Sequence, residues 1–256
     1  MKIIGIAMWQ LDLSLTKPYW LSGGRLKFEK LDSTFVRVET DADVSGWGEG
    51  CPWGSTYLPA YGPGIRAGIA TLASSLLGQD PRSLEAINRI MHMALPGHLD
   101  VKSAIDMACW DILGKVTGLP LWRLLGGTNA DPVAVNSSIS TGTRDEMIAL
   151  IRDAYSDGYR KHSAKIGGTD PTADIARIQA IEAALAPDEK VTYDVNRAWL
   201  PAVAIQVLNK VSVRGWIEQP CETLQQCAQV ARRVKQPIML DMSAFILLRT
   251  TCRLGA

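Results

Sequence analysis

The sequence predicts an α+β domain followed by a parallel (β/α) barrel that is cut short, and three observations predict it. Asp194, Glu218 and Asp241 each end a short apolar run, KVTYD, GWIE and PIMLD, with 24 and then 23 residues from one to the next. Each gap has helical composition, and strand, helix, strand at a period of about 23 residues is the rhythm of parallel βα folds. The earlier part of the chain lacks that rhythm and reads as strands followed by helices. Between the two lies the run LLGGTNADP, which places a boundary near Gly127–Asp131 and divides the chain into residues 1–128 and 129–256.

The elements follow in order. Residues 2–10 and 33–40 (STFVRVET) have strand character, and 41–49 (DADVSGWGE) is a turn leading into another short strand, together an antiparallel meander. Helical patterns follow at 63–77, 82–94 and 101–117. In the last of these Ile105, Ala108, Cys109, Ile112, Leu113 and Val116 trace one face, and Gly118 with Pro120 stops the helix. From Pro132 onward strands are expected at 133–138, 160–166, 190–195, 214–218 and 237–241, with helices at 143–157, 171–186, 199–210 and 222–235. A closed eight-stranded barrel needs about three strands more, and an open one exposes a sheet edge and apolar interior layers.

Composition narrows the function. At 47% hydrophobic, 256 residues bury a large core. A net charge of +1 offers no field for nucleic acid or an anionic membrane surface. No apolar run approaches the roughly 20 residues that span a bilayer, and the first residues lack a signal-peptide cleavage pattern, so a cytoplasmic protein is expected. The five cysteines are odd in number and without CxxC spacing, and the three histidines are scattered. Neither set suggests a disulfide framework or a zinc site.

In parallel βα folds the strand C-termini open onto one face, where active sites sit. Spacing alone leaves two readings of the three acids. They converge on a divalent cation that makes three mutually repelling anions tolerable, or they cap neighbouring helices. Lys165, just before Ile166 and a Gly-Gly turn, belongs to the same rim and shares its strand face with Lys161 and Ser163. A partly desolvated lysine beside a metal cation has its pKa pulled down and becomes a general base, whereas an ordinary rim lysine forms an ion pair. A base beside a hard, oxygen-ligated cation suits removal of a proton next to a carboxylate, because the cation stabilises charge accumulating on the carboxylate oxygens. All-oxygen ligands favour Mg²⁺. Asn196, two residues past Asp194, either orients a ligand or caps the helix beginning near Trp199.

These residues together, with the helix AIDMACWDILGK, PLWRLLGG, SAK-I-G, YDVN, WIEQP and IMLD, resemble the enolase superfamily in its mandelate racemase and muconate lactonizing enzyme group. The resemblance covers residues 1–241. It implies an α+β capping domain over a truncated barrel of the modified (β/α)7β type, Mg²⁺ held by Asp194, Glu218 and Asp241, and Lys165 as an acid/base group. HSAKIGG, YWLSGGR and GWGEGCPWGSTYLPAYG are most similar to the cis-3-hydroxy-L-proline dehydratases, with hydroxyproline betaine epimerases as neighbours. The chain departs from the family in two places. Ser163 stands where many relatives carry a first lysine of Lys-x-Lys. After IML the family has Asp-Glu and, further on, a second catalytic lysine, whereas this chain reads DMSAFILLRTTCRLGA. Residues 242–256 are therefore read as a frameshifted tail.

The resemblance gives the amino-terminal loops the task of specificity. Trp20 and Ser22–Arg25 form one such loop, and Trp53, Thr56, Tyr57 and Tyr61 another. Trp20 and Tyr57, with Ser163 and Asn196, are the candidate substrate contacts, the aromatics packing on a pyrrolidine ring or holding a cationic nitrogen. The expected reaction is Mg²⁺-dependent dehydration of a small imino-acid carboxylate, cis-3-hydroxy-L-proline, to Δ1-pyrroline-2-carboxylate, in an enzyme that is a homo-oligomer at full length. The alternatives are a racemase or epimerase of a proline or hydroxyproline derivative, and a non-catalytic truncated remnant.

Overall fold

The computed structural model describes residues 1–128, 132–168 and 170–244. The chain forms two compact units, one of Met1–Thr16 with Glu29–Pro132, the other of Lys17–Phe28 with residues from 133 onward. Part of the expected boundary, residues 129–131, lies outside the described residues, as does most of the expected tail, 245–256.

The first unit carries a three-stranded sheet in the order β1 (Ile3–Leu21), β2 (Leu26–Thr40), β3 (Ser45–Gly50), with β2 and β3 antiparallel. β1 and β2 are much longer than the expected 2–10 and 33–40. The extension has a sequence signal, the apolar alternation of Leu11, Leu13 and Leu15; Leu11 and Leu13 remain exposed, so it is a ribbon rather than a core strand. Four helices follow, α1 (Gly62–Leu76), α2 (Leu84–Ala94), α3 (Leu99–Thr117) and the single turn α4 (Leu121–Leu124). Val36 and Val38 of β2 pack with Ile65, Ile69, Leu72 and Leu76 of α1, Ile87 and Met91 of α2, and Ile105, Ala108 and Ile112 of α3. α3 ends at Gly118, in left-handed backbone at φ +67°, as the Gly-x-Pro signal requires. Gly48 lets α3 close on β3, since a Cβ there would lie 1.9 Å from the Ala104 carbonyl oxygen.

The second unit is a five-stranded parallel sheet whose spatial order follows the chain: β4 (Ser137–Ile139), β5 (Lys161–Lys165), β6 (Lys190–Asp194), β7 (Trp216–Glu218), β8 (Ile238–Met239). The crossovers are α5 (Arg144–Ser156), α6 (Pro171–Ala184), α7 (Pro201–Leu208) and α8 (Leu224–Ala231). Their starts are written locally. Thr143 with Glu146 and Thr223 with Gln226 form capping boxes, the Asp170 side chain accepts from Thr172 N, and Pro171 and Pro201 occupy first-turn positions. The core between sheet and helices contains Ala164, Ile166, Val191, Tyr193, Val195 and Ile217 against Ile151, Ile178, Ile181, Val207 and Val230. The first barrel strand is a correction. It was expected at 133–138, yet pairing begins only at Ser137 opposite His162, near the start of β5, and Val133 and Val135 are 79% and 64% exposed. β8 is also shorter than expected, its ladder ending at Glu218 opposite Met239, so Leu240 and Asp241 run past the paired region.

Lys17–Phe28 belongs to this unit because the tip of the β1–β2 hairpin docks on the rim of the sheet. Trp20 N donates to Ser140 Oγ at 3.1 Å, Thr141 N donates to Trp20 O at 3.4 Å, and the buried Ser22 hydroxyl donates to the Asn196 carbonyl at 3.2 Å. Gly23, at φ +62°, lies so near the following loop that a Cβ would stand 2.0 Å from Gly168 N.

Candidate functional site

The parallel register puts Lys165 opposite Asp194 and Asp194 opposite Glu218, three chargeable groups in line across adjacent strands at their C-terminal ends. Lys165 and Ser163 share a strand face as parity requires, and Lys165 Nζ lies 3.4 Å from Ser163 Oγ. The ammonium donates to Asp194 Oδ2 at 2.5 Å, in a pair whose side chains are 13% and 3% exposed. Asn196, in left-handed backbone at φ +47°, completes the grip on Asp194: its backbone N donates to Oδ1 and its Nδ2 to Oδ2, both at 2.9 Å. The capping alternative fails for Asp194, Asn196 and Glu218, whereas Asp241 stands directly before the helical residues 242–244, with Ala244 N donating to its carbonyl at 3.0 Å. The N-cap of α7 is Leu200 and that of α8 is Thr223, so Asp194, Asn196 and Glu218 cap neither helix.

Glu218 is pushed up to about 7, chiefly by burial and then by the charges of Asp194 and Asp241, with Lys165 opposing. Burial and the charge of Asp194 likewise raise Asp241. For Lys165, burial works against the ammonium, but the charge and hydrogen bond of Asp194, with smaller contributions from Tyr19 and Glu218, outweigh it and hold the amine above the usual lysine value. The lowering expected from the sequence is that of a lysine beside a metal cation; without one, the pair with Asp194 sets the direction.

Convergence of Asp194, Glu218 and Asp241 into a closed ligand cluster is not seen. Among the described residues no group of three or more Asp, Glu, His or Cys side chains is gathered closely enough to hold a metal ion. Both Asp194 oxygens are already engaged, by Lys165 and Asn196. The donors nonetheless suit a hard divalent cation. All are oxygens, and when ionised they exceed the single ammonium by two negative charges.

Linkage gives a test. Because Glu218 rises from 4.5 to about 7 on folding, the folded chain holds a proton that the unfolded chain releases between those values. Metal-free stability should therefore fall as pH rises through that window. A cation at the rim displaces that proton, so Mg²⁺ should raise Tm more near about pH 8 than near about pH 5. Thermal melts with and without Mg²⁺ check this, and equal increments at both pH values would count against it.

Of the expected substrate contacts, Ser163 and Asn196 lie beside Lys165 and Asp194 as described. Trp20 sits in the docked hairpin tip, but its ring already carries a cation, with Lys27 Nζ 5.3 Å from the centroid. Tyr57 belongs to the first unit, where its ring is 6.4 Å from that of Trp53. Several residues escaped sequence reasoning. Tyr19 hydrogen-bonds Ser138 in the docked tip. Thr141 donates from Oγ1 to the Lys165 carbonyl at 2.9 Å. Asp174, wholly buried, accepts from Gly167 N at 3.3 Å and Trp199 Nε1 at 3.1 Å and pairs with Arg177 at 3.2 Å, fixing the loop after Lys165. The three-residue spacing of Asp174 and Arg177 on α6 was the available signal.

Known proteins resemble this chain in sequence and fold. Residues 13–126 match the mandelate racemase/muconate lactonizing enzyme N-terminal domain, and residues 146–249 match the enolase C-terminal domain-like family. A cis-3-hydroxy-L-proline dehydratase from Roseibium aggregatum is 42% identical over 94% of this chain, which spans 66% of that protein's length. An L-Ala-D/L-Glu epimerase from Bacillus subtilis is 31% identical over 96% of this chain and 68% of its own. The crystal structure of an enolase superfamily member from Roseovarius nubinhibens complexed with magnesium is 62% identical, with a TM-score of 0.86 over 98% of this chain and 68% of the other. With the parallel sheet, the rim register and these similarities together, the chain belongs to the mandelate racemase/muconate lactonizing enzyme group of the enolase superfamily.

Proposed function

We propose that this chain carries the site that removes the proton α to a carboxylate and expels the neighbouring hydroxyl as water, with cis-3-hydroxy-L-proline as substrate. The observation that carries the reading is the largely buried rim lysine, Lys165, held by Asp194 and Ser163 in register with Glu218; the 42% identity to a dehydratase supports the choice of substrate. Asp194, Glu218 and Asp241 would hold Mg²⁺, whose charge opposes the negative charge that builds on the substrate carboxylate. Neutralising Asp194 removes the two largest contributions that keep Lys165 protonated, leaving the smaller ones of Tyr19 and Glu218 against burial, and so shifts the balance toward the free amine. Lys165 as the amine takes the α-proton. The electron pair of the broken C–H bond forms the C2–C3 double bond, the 3-hydroxyl departs as water with a proton from solvent, balanced by the proton that Lys165 later returns to solvent, and the resulting enamine tautomerises to Δ1-pyrroline-2-carboxylate. No helix among the described residues is long and apolar enough to cross a membrane.

Epimerisation is the second reading, favoured by the 31% identity to an epimerase. Incubating the chain with cis-3-hydroxy-L-proline and Mg²⁺ in D₂O separates the two by NMR. Pyrroline carboxylate is the expected product. Hydroxyproline deuterated at the α-carbon without pyrroline carboxylate would establish epimerisation, and neither product from a folded, Mg²⁺-binding chain would establish a non-catalytic one.

A further inference from the structure

Gln219, one residue past Glu218, is wholly buried in left-handed backbone at φ +39°. Its side-chain amide ties together the ends of two strands. Oε1 accepts from Asp241 N at 2.9 Å, Ser243 N at 3.2 Å and Ser243 Oγ at 3.0 Å. Nε2 donates to the Cys221 carbonyl at 2.9 Å and reaches Cys227 Sγ at 3.8 Å. Its backbone is held as well, N donating to Met239 O at 3.0 Å and the carbonyl accepting from Arg197 N at 2.9 Å.

We propose that Gln219 is a positioning residue for Asp241 and thereby sets the affinity of the rim for a divalent cation. The inference rests on the metal-assisted reading above. The β7–β8 ladder ends at Met239, so among the described residues no strand neighbour pairs with the Asp241 backbone, and the Gln219 side chain stands in for one. An amide oxygen engaged by three donors, with its nitrogen anchored on the opposite side, has one rotamer available. Its loss frees the turn that aims the Asp241 carboxylate, and a carboxylate held loosely is a poor ligand, which is why residues that orient metal ligands typically carry about 10–100-fold in affinity.

Calorimetric titration of the 256-residue chain with Mg²⁺ tests this. Gln219→Met keeps the side-chain length and removes the acceptor, and should weaken binding about tenfold or more. Gln219→Met combined with Asp241→Asn should bind no more weakly than Asp241→Asn alone, since Gln219 acts through Asp241. Additive losses, or a Gln219→Met variant within about threefold of the parent, would overturn the inference. Should Gln219→Met not melt cooperatively, Ser243→Ala removes one of the three donors without disturbing the amide; a loss of about threefold supports the inference and unchanged affinity overturns it. A parent that binds Mg²⁺ no better than Asp241→Asn overturns the metal-assisted reading itself, whereas a clear loss in Asp241→Asn with none in Gln219→Met overturns only the role of Gln219.

Discussion

Replacing Lys165 by alanine should slow α-proton removal by about 10²–10⁴-fold, the range a positioned acid/base group contributes. Among the described residues Lys165 Nζ is the one amine that the parallel register aligns with Asp194 and Glu218, and Ser163 stands beside it on the same strand face where a second lysine would be needed to substitute. Loss of the side chain therefore removes the proton acceptor without supplying another. Exchange of the α-hydrogen with solvent deuterium, followed by NMR or mass spectrometry, reads the step without depending on which product is released. Lys165→Arg is the informative companion. It retains the positive charge beside Asp194 but cannot deprotonate, so it should hold the fold and lose the exchange. A Lys165→Ala variant that exchanges within about threefold of the parent would remove Lys165 from the reaction.

Asp194→Ala should destabilise the metal-free chain by about 3 kcal/mol, near the lower end of the cost of breaking a buried ion pair. Asp194 is 2% exposed and accepts from Lys165 Nζ, Asn196 N and Asn196 Nδ2, so its truncation strands three donors together. One effect runs the other way. Removing this charge relieves Glu218 and Asp241, and the Glu218 pKa should drop from about 7 toward its ordinary value. Asp194→Asn keeps the shape and one acceptor oxygen and should cost about 1 kcal/mol. Urea unfolding of the three proteins reads these differences. A loss below about 1 kcal/mol in Asp194→Ala would mean that the repulsion among the acids nearly cancels the pairing.

Parity and strand ends made the rim legible in the sequence. A parallel strand has few ways to end, so Lys165, Asp194 and Glu218 fell into register as soon as their runs were recognised. What lay outside that rule stayed hidden. The β1–β2 ribbon extends through Leu21 although most of its residues face solvent, and a strand without a buried face gives little to distinguish it from a loop. Gln219 is invisible because its backbone has turned out of the strand at φ +39°, and a left-handed glutamine is not a propensity that sequence announces. Trp20 looked like a receptor for a foreign cation. The chain supplies its own in Lys27, seven positions on, a partner created by the turn between them.

The hairpin tip has a consequence for how such a chain can be divided and recombined. Residues 17–28 interrupt one unit in sequence yet belong to the other in space, so the two units share no single crossover point. A chimera joined near residue 132 would take its sheet and helices from one parent and the tip that docks on them from the other. Ser22 would then meet a foreign carbonyl where Asn196 stands, and Gly23 a foreign loop where it now allows no side chain. Compatible exchange needs two junctions more, bracketing the tip, so that the docked segment travels with the strands it touches.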